Sequence, residues 1–335
     1  MENSSKFELK VESQDWMTEK VKQNFYSFYF GYKNALDPHH VDPSTYKWWF
    51  DDFLRYIQMQ VTTPFIFQPY HEKIRYPHDY YKFGNEFFRL LVDEKASRVH
   101  GHAQIEEIVS HLKKGHNVIL LANHQIEADP QAISLLLDHK YPGLAEEMIF
   151  VAGERVTTDP LAVPFSLGRN LLCIYSKRYI DHPPEKKAEK QHHNKRAMEL
   201  MRHLLKEGGK CIYVAPSGGR DRRNAQGIVE VAKFDPQSIE MFYLMAQKAE
   251  TPTYFYPMAL ATYDMFPPPE TIQIELGESR RSKRGPIHLS IGTAIDMEQY
   301  PGYDQPNKHD RRGARAEHIW NRVCADYKML LKGDQ

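Results

Sequence analysis

An α/β fold, with a mixed, mostly parallel sheet flanked by helices and a smaller all-helical domain at the N-terminus, is predicted by three observations. Short continuous apolar runs, Asn117-Val118-Ile119-Leu120-Leu121-Ala122 foremost, read as strands buried on both faces. Beyond residue 76 such runs alternate with segments of helical periodicity, as βα units require. Before residue 76 the pattern is helical and rich in aromatics. The chain therefore divides into a helical domain at 1–75 and an α/β domain at 76–335.

The elements follow in order. Residues 12 to about 60 are helical in pattern, the first helix carrying Trp16, Phe25, Tyr26, Phe28, Tyr29 and Phe30. Pro43 and Ser44 open a second, with Trp48, Trp49, Phe50, Phe53, Leu54 and Ile57. Aromatic stripes at this spacing point to core rather than to a ligand platform. Pro64, Pro69 and Pro77 mark a boundary, and a further helix is expected from Asp79 to about Lys95. Ile105, Ile108, Val109 and Leu112 lie on one helical face. Met148–Ala152, Leu171–Tyr175, the run after Lys210 and Thr253–Thr262 read as strands. Helices are expected around Ala197–Leu205, around Phe242–Met245 and from about Arg311 to Leu331. Ile272–Leu276 and Ile287–Ile291 alternate in polarity, as edge or half-exposed strands do.

Composition narrows the function classes. Lys+Arg and Asp+Glu both total 44, so there is no basic excess of the kind nucleic acid selects. No stretch approaches the roughly 20 apolar residues that span a bilayer. Met1–Lys10 has neither the apolar core of a signal peptide nor the Arg-rich, acid-poor character of a transit peptide. Cys173, Cys211 and Cys324 are few and odd in number, and the first two fall in strands, as reduced core residues do. A cytoplasmic location follows, or the plastid stroma if the chain is a processed one. A monomer is the default.

Two loops carry chemistry. After the strand at 117–122 comes Asn123-His124-Gln125-Ile126-Glu127-Ala128-Asp129-Pro130, and Pro130 suits a first helical position. A strand end followed by a helix start is where open α/β sheets place ligands. With His124 in the loop and Asp129 at the helix start, an imidazole can take a proton from an alcohol while a carboxylate orients it. The plain alternative makes Asp129 a helix N-cap. After Cys211-Ile212-Tyr213-Val214-Ala215 comes Pro216-Ser217-Gly218-Gly219-Arg220-Asp221-Arg222-Arg223. Its glycines permit a tight turn, and its arginines offer planar forks of donors suited to phosphate. The run points to an anionic substrate rather than a solvated basic turn.

Together these residues resemble the glycerolipid acyltransferases, and closely the soluble plastid-type glycerol-3-phosphate acyltransferases. Residues 123–130 match that subgroup's His-x4-Asp signature and 215–222 its phosphate-binding block. Ala152-Gly153-Glu154-Arg155 with Ile174-Tyr175-Ser176-Lys177-Arg178 looks like a second block, and Tyr256-Pro257-Met258-Ala259 like a fourth. The resemblance implies that His124 is the general base and Asp129 its partner. It implies that Arg220 and Arg222 hold the substrate phosphate, assisted by Arg178 or Lys177. Tyr179 stands where the plant enzymes carry a histidine, and its hydroxyl can still donate a hydrogen bond to the phosphate. Ile126 replaces a usual hydroxyl residue and has no role assigned.

The implied reaction is transfer of a fatty-acyl group from an acyl carrier protein or coenzyme A thioester to the primary hydroxyl of glycerol 3-phosphate. It yields 1-acyl-glycerol 3-phosphate and calls for no metal or organic cofactor. Amides at the helix start after His124 are the candidates for holding the oxyanion. Arg280-Arg281-Ser282-Lys283-Arg284 is a candidate docking patch for the acidic carrier protein, or for transient contact with anionic lipid at a membrane surface. Competing expectations are a lysophosphatidate acceptor, a serine hydrolase using Ser217, a metal-dependent phosphohydrolase using His124, Asp129 and histidines such as His192 and His193, and a lipid-phosphate binding module without catalysis. Ser217 lacks the first glycine of a nucleophile elbow.

Overall fold

The computed structural model describes residues 11–12, 14–176, 180–269 and 280–332. Its first long helix, α1, spans Glu19–Leu36. Trp16 lies in the turn before it, because Thr18 is the N-cap and its hydroxyl accepts from the Val21 amide at 3.3 Å. Helix α2 (Pro43–Thr62) starts where Pro43 and Ser44 predict, with the Asp42 carboxylate accepting from the Ser44 amide. Helix α3 (Tyr80–Arg89) is capped by Asp79 and ends before Lys95. The chain leaves it because Val92 bridges to Gly285 and the Asp93 amide donates to the Gly285 carbonyl, so this stretch joins strand-like pairing.

Ten strands follow in chain order among the described residues: β1 (Tyr70–His71), β2 (Arg98–His100), β3 (Asn117–Ala122), β4 (Ile149–Gly153), β5 (Asn170–Ile174), β6 (Cys211–Val214), β7 (Arg222–Arg223), β8 (Val229–Glu230), β9 (Thr253–Ala261) and β10 (His288–Ile291). Eight form one sheet in the order β1-β5-β4-β6-β3-β9-β10-β2. The five from β5 to β9 are mutually parallel, β1 and β10 run antiparallel to β5 and β9, and β2 pairs parallel with β10. The short β1, β2 and the β7–β8 hairpin carry too few residues to show a period in the sequence. Ile287–Ile291 is not an edge: β10 is buried throughout, paired with β9 on one side and β2 on the other. His288 and Ser290 supply its apparent alternation, yet the His288 imidazole is satisfied inside by the Arg98 amide. Ile272–Leu276 lies outside the described residues.

The remaining long helices are α4 (His102–Lys113), α5 (Asp129–Leu137), α6 (Lys187–Glu207), α7 (Pro236–Lys248) and α8 (Lys308–Lys332). They cover the two faces of the sheet, and the strand alternation sorts the core accordingly. Val118 and Leu120 face one cluster, which also holds the aromatics of α1–α3. Ile119 and Leu121 face the other, packed by α6, α7 and α8. Every position of β3 is buried, as its unbroken apolar run requires.

Most of the N-terminal aromatics are core, but Phe30 and Trp48, expected with them, are exposed on the outer faces of α1 and α2. Phe53 of α2 is fully buried and its ring lies 5.7 Å from Phe28, 5.5 Å from Phe87 and 5.1 Å from Phe165. Phe165 sits between β4 and β5, so this cluster ties the helical region to the sheet; the chain enters the sheet already at β1. Phe53→Ala is therefore expected to cost about 3–5 kcal/mol in stability. Denaturant unfolding monitored by tryptophan fluorescence checks this, and a loss within experimental scatter of zero would show that the cluster does not couple the two parts.

Candidate active site

Loops from the C-terminal ends of four neighbouring parallel strands meet at one place: Asn123-His124 after β3, Glu154-Arg155 after β4, Ala215 to Asp221 after β6 and Thr262 after β9. His124 Nδ1 lies 2.8 Å from Asp129 Oδ2. Asp129 is 1 % exposed, whereas the His124 side chain is 31 % exposed, so the imidazole reaches from a buried carboxylate toward the surface.

Asp129 is not the N-cap. It is the first residue of α5, Ala128 holds the cap position, and the carboxylate turns back into the loop. Its Oδ2 accepts from the Gln125 amide at 2.8 Å and the Ile126 amide at 3.3 Å, while Oδ1 accepts from the Thr262 hydroxyl at 2.6 Å. A buried carboxylate needs such donors, because its ionised form is otherwise expensive out of water. Those two amides are thereby committed to Asp129. The Asp129 and Ala132 amides at the helix start also donate, to the carbonyls of Ile126 and Ala128, so they are not free to hold an oxyanion.

The residues flanking His124 fix the loop. Asn123 mimics a strand partner to β9, its Oδ1 accepting from the Leu260 amide and its Nδ2 donating to the Leu260 carbonyl. Gln125 Oε1 accepts from the amides of Thr262 and Tyr263 at 2.7 and 2.9 Å. Both side-chain amides donate to Asp221 Oδ2, at 2.8 Å from Asn123 and 3.2 Å from Gln125, and the Asp221 amide donates to the His124 carbonyl. The Tyr213 hydroxyl donates to the Asn123 carbonyl. Ile126 is simply core, fully buried on the sheet's aromatic side.

Arginines gather beside this pair. Arg280 donates to Glu127 Oε2 at 3.1 Å and to Asp159 Oδ2 at 2.8 Å, and Arg220 lies 3.9 Å from Glu127 Oε1. Burial raises the Glu127 carboxyl, but Arg280, Arg220 and Arg155 outweigh it and hold the group below its ordinary value. Burial lowers Arg220, Glu127 opposes this, and the charges of Arg222, Arg155 and Arg280 add to the lowering. A bound anion would relieve that crowding of positive charge. The sequence reading assigned no role to Glu127, Arg155 or Thr262; only the acidic residue inside the His-x4-Asp span hinted at the first.

Arg280 does not belong to a solvated docking run. It is 4 % exposed and forms part of the site, which leaves Arg281 and Lys283 as the exposed cations of that stretch. Arg222 lies in β7 and donates to the Pro269 carbonyl. Lys177, Arg178 and Tyr179 lie outside the described residues. Gly218 takes φ +64°, and its amide closes a turn on the Ala215 carbonyl. Ser217 hydrogen-bonds to Gly219 within that turn rather than to a histidine. His193 is half-buried, its Nε2 2.9 Å from the Cys173 carbonyl oxygen, and no group of three or more His, Cys, Asp or Glu side chains fit to hold a metal occurs among the described residues.

His124 and Asp129 also line a cavity. Its walls are mostly apolar, including Phe28, Phe88, Phe150, Phe165 and Phe266, and His124, Glu127 and Arg280 line it as well. Among the described residues no helix is long and apolar enough to cross a membrane.

Asp221 supplies a pH test of the loop. Burial lifts its carboxyl to about 6, against the lowering by the Ala232 amide, Asn123, Gln125 and His124. A raised carboxyl favours the folded state at low pH, and that contribution is lost as pH rises from about 4 through about 6. In a series of unfolding measurements over this range, Asp221→Asn is expected to lack a stability loss on the order of 3 kcal/mol that the parent chain shows. Parallel pH profiles for the two proteins would contradict this.

A family model described as Acyltransferase matches residues 97–261. The chain is 43% identical to the chloroplastic glycerol-3-phosphate acyltransferase of Pisum sativum over 82% of its length, covering 60% of the pea protein. It is 40% identical to glycerol-3-phosphate acyltransferase ATS11, chloroplastic, of Cucurbita moschata, with 82% and 61% covered. The corresponding Carthamus tinctorius protein is 35% identical, with 92% of this chain and 68% of that one covered. The chain thus spans about three fifths of the length of most such relatives. Among solved structures, the 1-acyl-sn-glycerophosphate (LPA) acyltransferase PlsC of Thermotoga maritima aligns over 90% of this chain and 97% of its own at 16% identity, with a TM-score of only 0.41. With more than two thirds of the Carthamus protein matched, this chain belongs to the family of the chloroplastic glycerol-3-phosphate acyltransferases.

Proposed function

We propose that this protein transfers a fatty-acyl group from a thioester to the primary hydroxyl of glycerol 3-phosphate. One observation carries the proposal: the His124–Asp129 pair adjoins both a cluster of arginines and an apolar cavity. A substrate with a phosphate at one end and a hydroxyl to be acylated fits the first, and an acyl chain fits the second.

In this reading the phosphate docks on Arg220 with Arg222, and Arg155 and Arg280 add to the field. The carboxylates of Glu127 and Asp159 hold Arg280 in place. Because Nδ1 faces Asp129, it carries the ring proton, and Nε2 is left as the base. Nε2 takes the hydroxyl proton as the oxygen attacks the thioester carbon, and Asp129 stabilises the imidazolium that forms. Collapse of the tetrahedral intermediate breaks the C–S bond, and the imidazolium protonates the departing thiolate. The acyl chain lies in the cavity throughout, which gains the positioning advantage of an intramolecular reaction.

The donor is an acyl carrier protein or coenzyme A thioester. The compartment in this reading is a reducing one, the bacterial-type cytosol or the plastid stroma, where the free thiols of Cys173, Cys211 and Cys324 stay reduced. The test is acyl transfer by the purified chain to labelled glycerol 3-phosphate, with lysophosphatidate as parallel acceptor. Product from glycerol 3-phosphate supports the proposal; product from lysophosphatidate alone would overturn the acceptor. Arg220→Ala is expected to raise KM for glycerol 3-phosphate about 10- to 100-fold while leaving the donor KM unchanged. Equal losses for both substrates would remove Arg220 from the phosphate site.

A further inference from the structure

The cavity's apolar wall is interrupted by a charge that the mechanism does not use. Arg169 lines it, is 2 % exposed, and precedes β5 at the N-terminal side of the sheet, whereas His124 follows the C-terminal end of β3. Helix α5 gives the depth. Asp129 begins it, and Ser134, whose hydroxyl accepts from Arg169 Nη1 at 2.6 Å, lies about 7.5 Å further along its axis. Phe150, Phe165 and Leu171 line the same cavity.

The guanidinium is clamped. Nη2 donates to Asn85 Oδ1, the group lies 4.6 Å from the Tyr81 ring centroid, and the Tyr81 hydroxyl donates to Asp138 at 2.7 Å. Its Nε is buried with no hydrogen-bond partner among the described residues. An alkyl terminus gains nothing by pressing against this edge, and moving the group would break hydrogen bonds of a buried charge.

We propose that Arg169 is a specificity-determining residue, the charged inner stop that limits how long an acyl chain the cavity accepts. The inference rests on the acyl-transfer reading above. The clamp makes the limit sharp, since a wall that cannot move excludes each added methylene outright rather than yielding by degrees.

The test is kcat/KM for a saturated donor series rising two carbons at a time from butanoyl to eicosanoyl, with glycerol 3-phosphate as acceptor. The parent chain is expected to lose about tenfold with each step past its optimum. Arg169→Met is expected to move that fall to longer donors, raising the first disfavoured length about tenfold relative to the optimum. Ser134→Ala, which removes one clamp and no charge, is expected to shift it in the same direction by less. A purely structural role would lower kcat for all donors alike, so an unchanged length profile in a cooperatively folding Arg169→Met protein overturns the proposal. If Arg169→Met does not fold, an unchanged profile in Ser134→Ala does so. A parent chain that turns over no donor of any length rejects the acyl-transfer reading and this inference with it; a normal series unaffected by both variants rejects this inference alone.

Discussion

A buried carboxylate cannot be left to itself, and the site is arranged around that constraint. Asp129 is almost wholly inaccessible, and its two oxygens collect the imidazole of His124, two loop amides and the Thr262 hydroxyl. Acceptor and donors come from places the fold must bring together: Asp129 from the start of α5, His124 and two amides from the loop after β3, and Thr262 from the end of β9. Satisfying one anion therefore fixes the imidazole tautomer, the loop path and the spacing of two strand ends together. Asn123 and Gln125 then tie the same loop to β9 and Asp221, so His124 projects from a frame rather than from a free loop.

The sheet supplies the division of labour. Loops at the C-terminal strand ends carry His124, Arg155, Arg220 and Thr262, and the apolar cavity runs along one face beneath α5. That face is the one covered by the N-terminal aromatics, and Phe28 of α1 lines the cavity. The helical region thus furnishes both core and part of the apolar wall. This placement explains why so aromatic a segment, read as packing alone, also lines the cavity.

Much of this was legible because local signals and tertiary demand agreed. The unbroken apolar run at 117–122 could only be buried on both faces, and Pro130 set the start of α5. His124 and Asp129 stood out by their position between these elements. What stayed hidden depends on long-range pairing. Thr262 lies 133 residues from Asp129 and gives no local sign of the bond between them. Arg280 looked like one cation in an exposed run, yet two buried carboxylates draw it inside. The alternation at 287–291 came from His288 and Ser290, polar residues that the sheet satisfies internally, so polarity misreported exposure.

The central claim is that His124 and Asp129 act as one unit. The most direct measurement is kcat/KM for glycerol 3-phosphate across Asp129→Asn, His124→Ala and the double variant, with cooperative unfolding checked for each. As a unit, Asp129→Asn should lose about 10⁴-fold, and adding it to His124→Ala should cost little more. Losses that multiply independently, or an Asp129→Asn protein that turns over near the parent rate, would contradict the account.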